Sequence, residues 1–241
     1  AVVYENGEPH RLPNGRPTLC SFCVPIRDVV VEDNWYACGL KGSGSSHYRL
    51  EAVLAPDDFI LGGKNRQGRG GPLYQLPVFG YVAACHAGFA LGVAKRALQE
   101  IIALATTKRR TISRVTVGER GAFHKELGIM ASRLHGARLL TFETLGEMWA
   151  AACGGERLPL EKWGACRAAM TYVTDVAADV ATFAYRYGGG PALYLSHPLQ
   201  RCFRDIHTAT QHGVVSDENY EALGLALLGK GSWDPLISIG D

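Results

Sequence analysis

The sequence lacks both a long apolar run and a marked net charge. A transmembrane helix needs about 20 consecutive, predominantly apolar residues, and no uninterrupted apolar run of the 241 residues reaches that length. The 25 basic and 23 acidic residues leave a net charge of +2, which gives no electrostatic support for binding to nucleic acid or to a membrane surface. These absences predict a soluble, cytoplasmic protein that binds neither.

Two signature motifs are also missing. Cys20 and Cys23 form a C-x-x-C pair, but no second pair stands at the spacing of a zinc site. Because the pair lies in the strand-like stretch TLCSFCVPI, we interpret both residues as small hydrophobes and predict no metal site; a redox or metal role is the less favoured alternative. No strand is followed by G-x-G-x-x-G, so a nicotinamide-binding unit is not predicted.

The N-terminal part of the sequence is β-like. The stretches LCSFCVPI, VVVEDNWYACGL and SHYRLEAVLAP are rich in β-branched and aromatic residues and are separated by turn residues, a pattern typical of short antiparallel strands. We predict a partial antiparallel β-domain over residues 1–71, with the Gly-rich residues 62–71 as a flexible connection. Because the sequence starts without Met inside β-like residues, we expect that N-terminal residues are missing from it.

Beyond residue 72 the apolar period becomes helical. Residues 74–108 contain no acidic residue before Glu100, which indicates a helix buried in a bundle. Apolar residues at three- and four-residue steps predict further long helices over 122–153 and 158–187, the latter ended by three glycines and Pro191. A fourth helix is predicted from His197 and a short fifth from an N-cap at Ser216. The fold class is α+β: the β-domain is followed at 72–241 by an antiparallel four-helix bundle.

The fourth predicted helix has an unusually polar face. In CFRDIHTATQHG, residues 202–213, Arg204, Thr208 and His212 follow one another at four-residue steps and therefore share one side of a helix. His207 points away from His212 on such a helix, so we do not predict a metal pair. Spacing alone leaves two interpretations open: a hydrogen-bonded structural face or the wall of a site.

The order of these elements resembles the acyl-CoA dehydrogenase superfamily. The resemblance rests on GLKGSGS in the β region, GVAKRALQEIIALATTKRR on the first long helix, the turn YRYGGGPAL and PLQRCFRDIHTATQH. It covers essentially the whole chain and implies the end of the middle β-domain followed by the C-terminal helical domain. The family's N-terminal helical domain has no counterpart in these residues.

The glutamate with which the dehydrogenases of this superfamily remove a proton from an acyl-CoA has no counterpart here. In the commonest form it lies a few residues beyond the Arg-Asp pair, and matching that pair to Arg204 and Asp205 places Gly213 at its position. In other members it lies on the first long bundle helix, but residues 72–99 contain no Asp or Glu. The resemblance therefore argues against a dehydrogenase of the usual kind.

The pattern RDIHTATQH is similar instead to the oxygenase components of two-component flavin monooxygenases, such as 4-hydroxyphenylacetate hydroxylase, the steroid-catabolic phenol hydroxylase and dibenzothiophene monooxygenase. This branch has a histidine at the position of His212, close to the flavin and the substrate. The resemblance implies that His212 is catalytic: its imidazole would take the phenolic proton of the substrate or hydrogen-bond the activated oxygen.

The resemblance also suggests which residues bind the flavin. Lys108 matches an arginine that reaches the flavin phosphates in the dehydrogenases, and Arg109 beside it would serve equally; the alternative is a solvated basic helix end. Gly189 and Gly190 match a turn that approaches the cofactor and would also end a helix. Arg204 is a candidate flavin or subunit contact, or the partner of Asp205, Asp175 or Asp179 in an ion pair. The Ser43 and Ser45 turn is interpreted as a hairpin turn.

The favoured function is therefore the oxygenase component of a reduced-flavin-dependent monooxygenase that hydroxylates an aromatic, phenolic substrate with O₂. The resemblance implies reduced FMN or FAD, with FMN preferred, delivered by a separate NAD(P)H-dependent flavin reductase, and a homotetramer. Two alternatives stay open: an acyl-CoA dehydrogenase-like flavoenzyme with an unconventional base, and a truncated, non-catalytic assembly fragment.

Overall fold

A computed structural model describes residues 1–12, 15, 17–61, 71–76, 78–109, 113–156 and 158–230. The chain divides into two compact units, one formed by Ala1–Tyr36 with Lys41–Arg69 and the other by Ala37–Leu40 with Gly70–Asp241. The sequence predicts a single boundary at residue 71. In the structure the short segment Ala37–Leu40 also belongs to the helical unit. The predicted flexible connection lies, except for Gly71, outside the described residues.

The first unit contains three short antiparallel strand pairs. Strands β1 (Tyr4–Glu5) and β2 (Glu8–Pro9) form a hairpin, whose two loop residues Asn6 and Gly7 both have positive φ, as a type I′ turn requires. The other pairs are β3 (Ser21–Phe22) with β6 (Ile60–Leu61), and β4 (Val30–Val31) with β5 (Tyr48–Arg49). The described strands are two residues long, so the predicted antiparallel pairing is present in a much shorter form than the β-like stretches indicate.

The helical unit contains five described α-helices. They are α1 (Val78–Thr107), α2 (Gly121–Gly154), α3 (Leu160–Gly188), α4 (Pro198–Ala209) and α5 (Glu218–Leu227). The first three match the predicted long helices closely. The predicted fourth helix is shorter than expected, because α4 ends at Ala209. The predicted N-cap of the fifth is wrong: α5 begins at Glu218, directly after Asp217. None of the described helices is long and apolar enough to cross a membrane.

Helix α3 lies at the centre of the bundle and contacts the other four α-helices. The apolar face predicted for it is buried. Helix α1 faces it with a row of small residues that lets the two backbones approach closely. The buried residues of this row are Ala83, Ala87, Ala90, Ala94, Ala97, Ile101 and Ala105.

The central position of α3 buries polar residues as well as apolar ones. The exposed fraction of Thr171 is 1%. Because α4 and α5 cover the sides that α1 and α2 leave open, even polar residues of α3 lie inside the bundle and need hydrogen-bond partners.

Candidate functional site

The polar residues of α4 hold the segment Ala37–Leu40. The backbone N–H of Leu40 donates a hydrogen bond to Oδ1 of Asp205 over 2.8 Å. Sγ of Cys38 lies 3.2 Å from Oγ1 of Thr208, which itself donates to the carbonyl oxygen of Arg204. The face that sequence spacing marked as unusually polar therefore binds a backbone segment far away in the sequence.

Arg204 has a structural role in this arrangement. Its Nε and Nη2 atoms donate to Oε1 of Gln200 over 2.8 and 2.6 Å, and Nη1 donates to the carbonyl oxygen of Cys38. The acidic residues considered as its ion-pair partners are bound elsewhere: Asp205 to Leu40, Asp175 to Tyr220 and Asp179 to Arg133. Arg204 thus joins α4 to Ala37–Leu40 in place of the ion pair.

Because Gly39 has no side chain, the backbone of Ala37–Leu40 can lie directly against the backbone of α4. A Cβ atom on Gly39 would lie 2.2 Å from the carbonyl oxygen of Arg204, closer than two such atoms can come. The next residue, Leu40, has φ of +50°, a conformation that is uncommon and strained for a residue with a side chain. The hydrogen bond from Leu40 to Asp205 helps to maintain that conformation.

Sequence spacing predicts that His212 continues the polar face of α4. In the structure it does not, because α4 ends before His212. It lies three residues beyond the end of α4 and caps the short turn Gly213–Val215. Its Nδ1 accepts a hydrogen bond from the backbone N–H of Val214 over 3.1 Å, while the ring is exposed. Because an accepting Nδ1 carries no proton, the neutral ring has its proton on Nε2 and is a hydrogen-bond donor there.

A second histidine lies beside His212. The ring centroid of His86, on α1, is 5.7 Å from that of His212. Within the described part of the chain, Nε2 of His86 is buried without a hydrogen-bond partner. Burial, and next the charge of a protonated His212, lower the pKa of His86, so His86 stays neutral under conditions in which an ordinary histidine takes up a proton.

His207 is partly buried between α3 and α4. Its Nε2 lies 2.8 Å from Oγ1 of Thr182 on α3, and its ring contacts Phe203 at 4.4 Å between centroids. Burial lowers the pKa of His207, and Asp179 opposes this shift. These contacts make His207 a packing residue between α3 and α4.

Two of the predicted flavin-binding residues contact each other. Nζ of Lys108 donates to the carbonyl oxygens of Tyr187 and Gly188 at the end of α3, an arrangement that complements the negative end of the helix dipole. Gly189, with φ of +51°, ends α3, and a Cβ atom there would lie 2.7 Å from Nζ of Lys108. Lys108 and Gly189 together terminate α3.

Of the three other candidates, Arg204 is described above, and Arg109 and Gly190 are at the surface. Arg109 is exposed, and its backbone forms an isolated antiparallel bridge with Thr116. Gly190 begins a short 3-10 turn and borders an open depression. The depression is lined by Glu100, Gly190, Pro191, Leu193, Tyr194, Ser196, His197 and Pro198.

Residues 84–217 match the family model described as acyl-CoA dehydrogenase, C-terminal domain. The chain belongs to this family. The superfamily inferred from the sequence motifs is therefore confirmed, and the matched range runs from α1 through the turn that follows His212.

Among relatives, the chain is similar to indole-3-acetate monooxygenase of Pseudomonas putida, with 26% identity over 209 residues. The match covers 86% of this chain and 53% of the relative, so the chain spans about half the length of the curated protein that it matches. Proteins named flavin-dependent monooxygenase oxygenase subunit and p-hydroxyphenylacetate 3-hydroxylase oxygenase component are also similar.

Solved structures establish the fold. The 3-HSA hydroxylase from Rhodococcus sp. RHA1 superposes with a TM-score of 0.80 at 23% identity, over 95% of this chain and 62% of that chain. XiaF from Streptomyces sp., solved with FADH2 and glycerol, gives a TM-score of 0.80 at 24% identity, over 92% and 58%. The acyl-CoA dehydrogenase-like fold expected from the sequence is confirmed.

Within this family fold, Gly213 is not required by the backbone. It has no positive φ, and a Cβ atom there would meet nothing within 4 Å. The backbone at this position, where the sequence comparison expects the dehydrogenase glutamate, therefore has room for a Cβ atom. The absence of that glutamate is a chemical difference, and His212 is the neighbouring residue.

Sequence analysis did not identify His86, Thr171 and Asn219. His86 is a single histidine in an apolar helix, a pattern more typical of a satisfied core residue. Asn219 lies in the first turn of a short helix, where asparagine is common. The sequence offers a signal for Asn219, because the helical period places it on the same side of α5 as Leu223; in the structure its exposed fraction is 0%.

The arrangement suits a ligand with oxygen atoms near His212. An exposed imidazole with its proton on Nε2 offers a donor, and the ring of His86 lies beside it with its own Nε2 buried. Arg109 offers an exposed cation for a phosphate. These groups fit the polar edge of a flavin or a phenolic oxygen, and the described residues near His212 include no carboxylate in contact with its ring.

Proposed function

We propose that the protein is the oxygenase component of a two-component flavin-dependent monooxygenase that hydroxylates an aromatic, phenolic substrate. The observation that supports this most directly is His212, an exposed histidine that caps a turn and lies beside Gly213, the position matched to the dehydrogenase glutamate. The similar proteins named as monooxygenases and hydroxylases support the same reaction class.

The reduced flavin, when bound, supplies the electrons with which O₂ is activated. The part that this chain contributes is a hydrogen bond. Because Nδ1 of His212 accepts from Val214, Nε2 carries the proton and donates to an oxygen atom, such as the phenolic oxygen of the substrate. Action as a base at Nε2 would require the other tautomer, which would set the Nδ1 proton against the N–H of Val214. Of the two roles expected for His212, donation is the one that its geometry favours.

Reduced FMN or FAD would come from an NAD(P)H-dependent flavin reductase, and we keep FMN as the first choice to test. Arg109 is the exposed cation proposed for the flavin phosphate, beside Lys108, which already bonds to the end of α3. Gly189 and Gly190 would bring backbone close to the cofactor. Arg204 would act indirectly, through the segment Ala37–Leu40 that it holds. A cytoplasmic homotetramer completes the proposal.

The test is a reductase-coupled assay of the full-length protein with phenols, indoles and thiophenes. We expect substrate-dependent oxygen uptake with hydroxylated product. In His212→Ala, product should fall by orders of magnitude while reduced flavin still reacts with O₂ and releases H₂O₂. His135→Ala, which removes an exposed histidine of α2, is the matched control and should behave as the unmodified protein.

A second variant separates donor from base. His212→Gln places an amide N–H near the position of Nε2 but has no titrating group, so it should recover part of the product yield if His212 donates a hydrogen bond. Equal loss in His212→Ala and His212→Gln would show that His212 acts as a base. Unchanged coupling in His212→Ala, or bleaching of the bound flavin by an acyl-CoA without reductase, would overturn the proposed function.

A further inference from the structure

A buried amide connects α5 to the turn that follows His212. Asn219 is fully buried, with an exposed fraction of 0%. Its Nδ2 donates to Oγ1 of Thr171 over 2.8 Å and to the carbonyl oxygen of Val214 over 2.9 Å. One side chain thus joins helix α5, the centre of α3 and the His212 turn.

Val214 uses both of its backbone groups in this connection. Its N–H donates to Nδ1 of His212, and its carbonyl oxygen accepts from Asn219. Oγ1 of Thr171, which accepts from Asn219, also lies 3.4 Å from the carbonyl oxygen of Ser216 as a long hydrogen bond. Thr171 of α3 therefore holds the turn in two ways, through Asn219 at Val214 and directly at Ser216. Val214 in turn donates to the imidazole of His212.

Packing alone does not explain a polar side chain at this depth, because its burial lowers the stability of the protein. Burial of an amide is compensated only by good hydrogen bonds, and Oδ1 of Asn219 has no partner within the described residues. An apolar residue of similar size would fill the space between α3 and α5 without that cost. What an apolar residue cannot do is hold the carbonyl oxygen of Val214.

We infer that Asn219, supported by Thr171, is a positioning residue that fixes the ring orientation and the tautomer of His212 through Val214. With the Val214 peptide held at its oxygen, its N–H stays aimed at Nδ1, and the proton of the neutral ring stays on Nε2. The structural part of this inference stands on the hydrogen bonds alone, whereas its consequence for catalysis rests on the proposed function.

The direct test is ¹⁵N NMR of the histidine rings in the full-length protein, without flavin. The signals of His212 are assigned by their loss in His212→Gln. The unmodified protein should show one protonated and one unprotonated ring nitrogen for His212. In Asn219→Asp, which replaces the donor by an acceptor facing the Val214 carbonyl, the two ring nitrogen shifts should move toward each other as both tautomers become populated.

Thr171 provides a milder variant with a matched control. Thr171→Val removes the acceptor for Asn219 and should shift the tautomer ratio of His212 in the same direction. Thr171→Ser keeps the hydroxyl and should keep the ratio of the unmodified protein. Thr174→Val is the control, because Thr174 is equally buried on the same helix and, among the residues that the structure describes, its hydroxyl bonds only to the carbonyl oxygen of Met170 in its own helix. It should leave the His212 signals in place.

The activity of the same variants provides the second measurement. If His212 donates in the reaction, Asn219→Asp and Thr171→Val should lower kcat by up to about 100-fold with a much smaller change in the flavin Kd, as expected for a small misplacement of a reacting group. His212 signals that are unchanged in Thr171→Val and in every folded Asn219 variant would overturn the positioning role. A shifted tautomer without any monooxygenase activity in the unmodified protein would overturn only the proposed function.

Discussion

The imidazole rings of His86 and His212 lie 5.7 Å apart, one on the first long helix of the bundle and the other on the turn after α4. Only one of them is exposed to solvent, and Nε2 of the other is buried. Two rings at this separation cannot both be protonated without mutual repulsion. A protonated His212 therefore favours the neutral form of His86.

The first prediction concerns the titration of His86. Burial is the larger cause of its lowered pKa and the charge of His212 is the smaller one. We expect His86 to protonate below the ordinary range of histidine in an NMR titration. In His212→Gln its pKa should rise only part of the way, because burial remains. A His86 that titrates like a histidine in a peptide would contradict the burial seen here.

The stability of the protein should depend on pH in the same range. The pKa values of His86 and His207 are lowered in the folded protein, so the unfolded chain binds protons first, near its ordinary histidine pKa of about 6.5. Stability is full above that pH and falls as the pH drops below it, toward the folded pKa values.

Urea unfolding between pH 7 and pH 5 measures this effect. The free energy of unfolding should decrease with falling pH, and the decrease should be smaller in His86→Gln, which removes one of the two partly buried rings with a lowered pKa. His135→Gln, with an exposed ring, should keep the full dependence. An equal slope in all three proteins would show that His86 contributes nothing to it.

Much of the bundle could be predicted from the sequence because its signal is periodic. The apolar faces of α2 and α3 recur at helical spacing, and the glycines after α3 mark its end, so three long helices and their buried sides follow from the pattern. The burial of Thr171 does not follow from this pattern. A helical period separates an apolar side from a polar one, whereas α3 contacts four other helices and keeps only part of its polar side, such as Asp175 and Asp179, exposed.

The candidate site was harder to predict than the fold. The spacing of Arg204, Thr208 and His212 suggested one continuous helix face, but α4 ends before His212, where Gly213 and the buried residues Val214 and Val215 turn the chain inward. The family motif singled out His212 as a candidate, but it could not give the tautomer, which depends on a hydrogen bond from Val214. His86 could not be paired with it, because that contact joins distant parts of the sequence.

A further prediction concerns the close approach of Gly39 to α4. In Gly39→Ala the added Cβ would lie 2.2 Å from the carbonyl oxygen of Arg204 and 2.6 Å from Oγ1 of Thr208. Since a backbone oxygen cannot move aside as a side chain does, we expect a loss of about 1–3 kcal/mol in the free energy of unfolding. Gly42→Ala is the control, because nothing lies within 4 Å of its Cβ position. Equal stability of the two variants in urea unfolding would contradict the packing of Ala37–Leu40.

The last prediction separates the two neighbouring cations at the end of α1. Lys108 donates to carbonyl oxygens at the end of α3, whereas the side chain of Arg109 is exposed. Lys108→Met should therefore lower the free energy of unfolding by about 1 kcal/mol, the usual size of such hydrogen bonds, and change flavin affinity little.

Arg109→Met should have the opposite effect. We expect its stability to stay within about 0.5 kcal/mol of the unmodified protein, as for most surface substitutions. Its affinity for reduced flavin should fall, and so should the dependence of that affinity on salt concentration, because a contact with the flavin phosphate is lost. Flavin titrations at two salt concentrations, together with urea unfolding, measure both effects. If Lys108→Met instead weakens flavin binding and Arg109→Met does not, Lys108 is the phosphate ligand and Arg109 is only a solvated helix end.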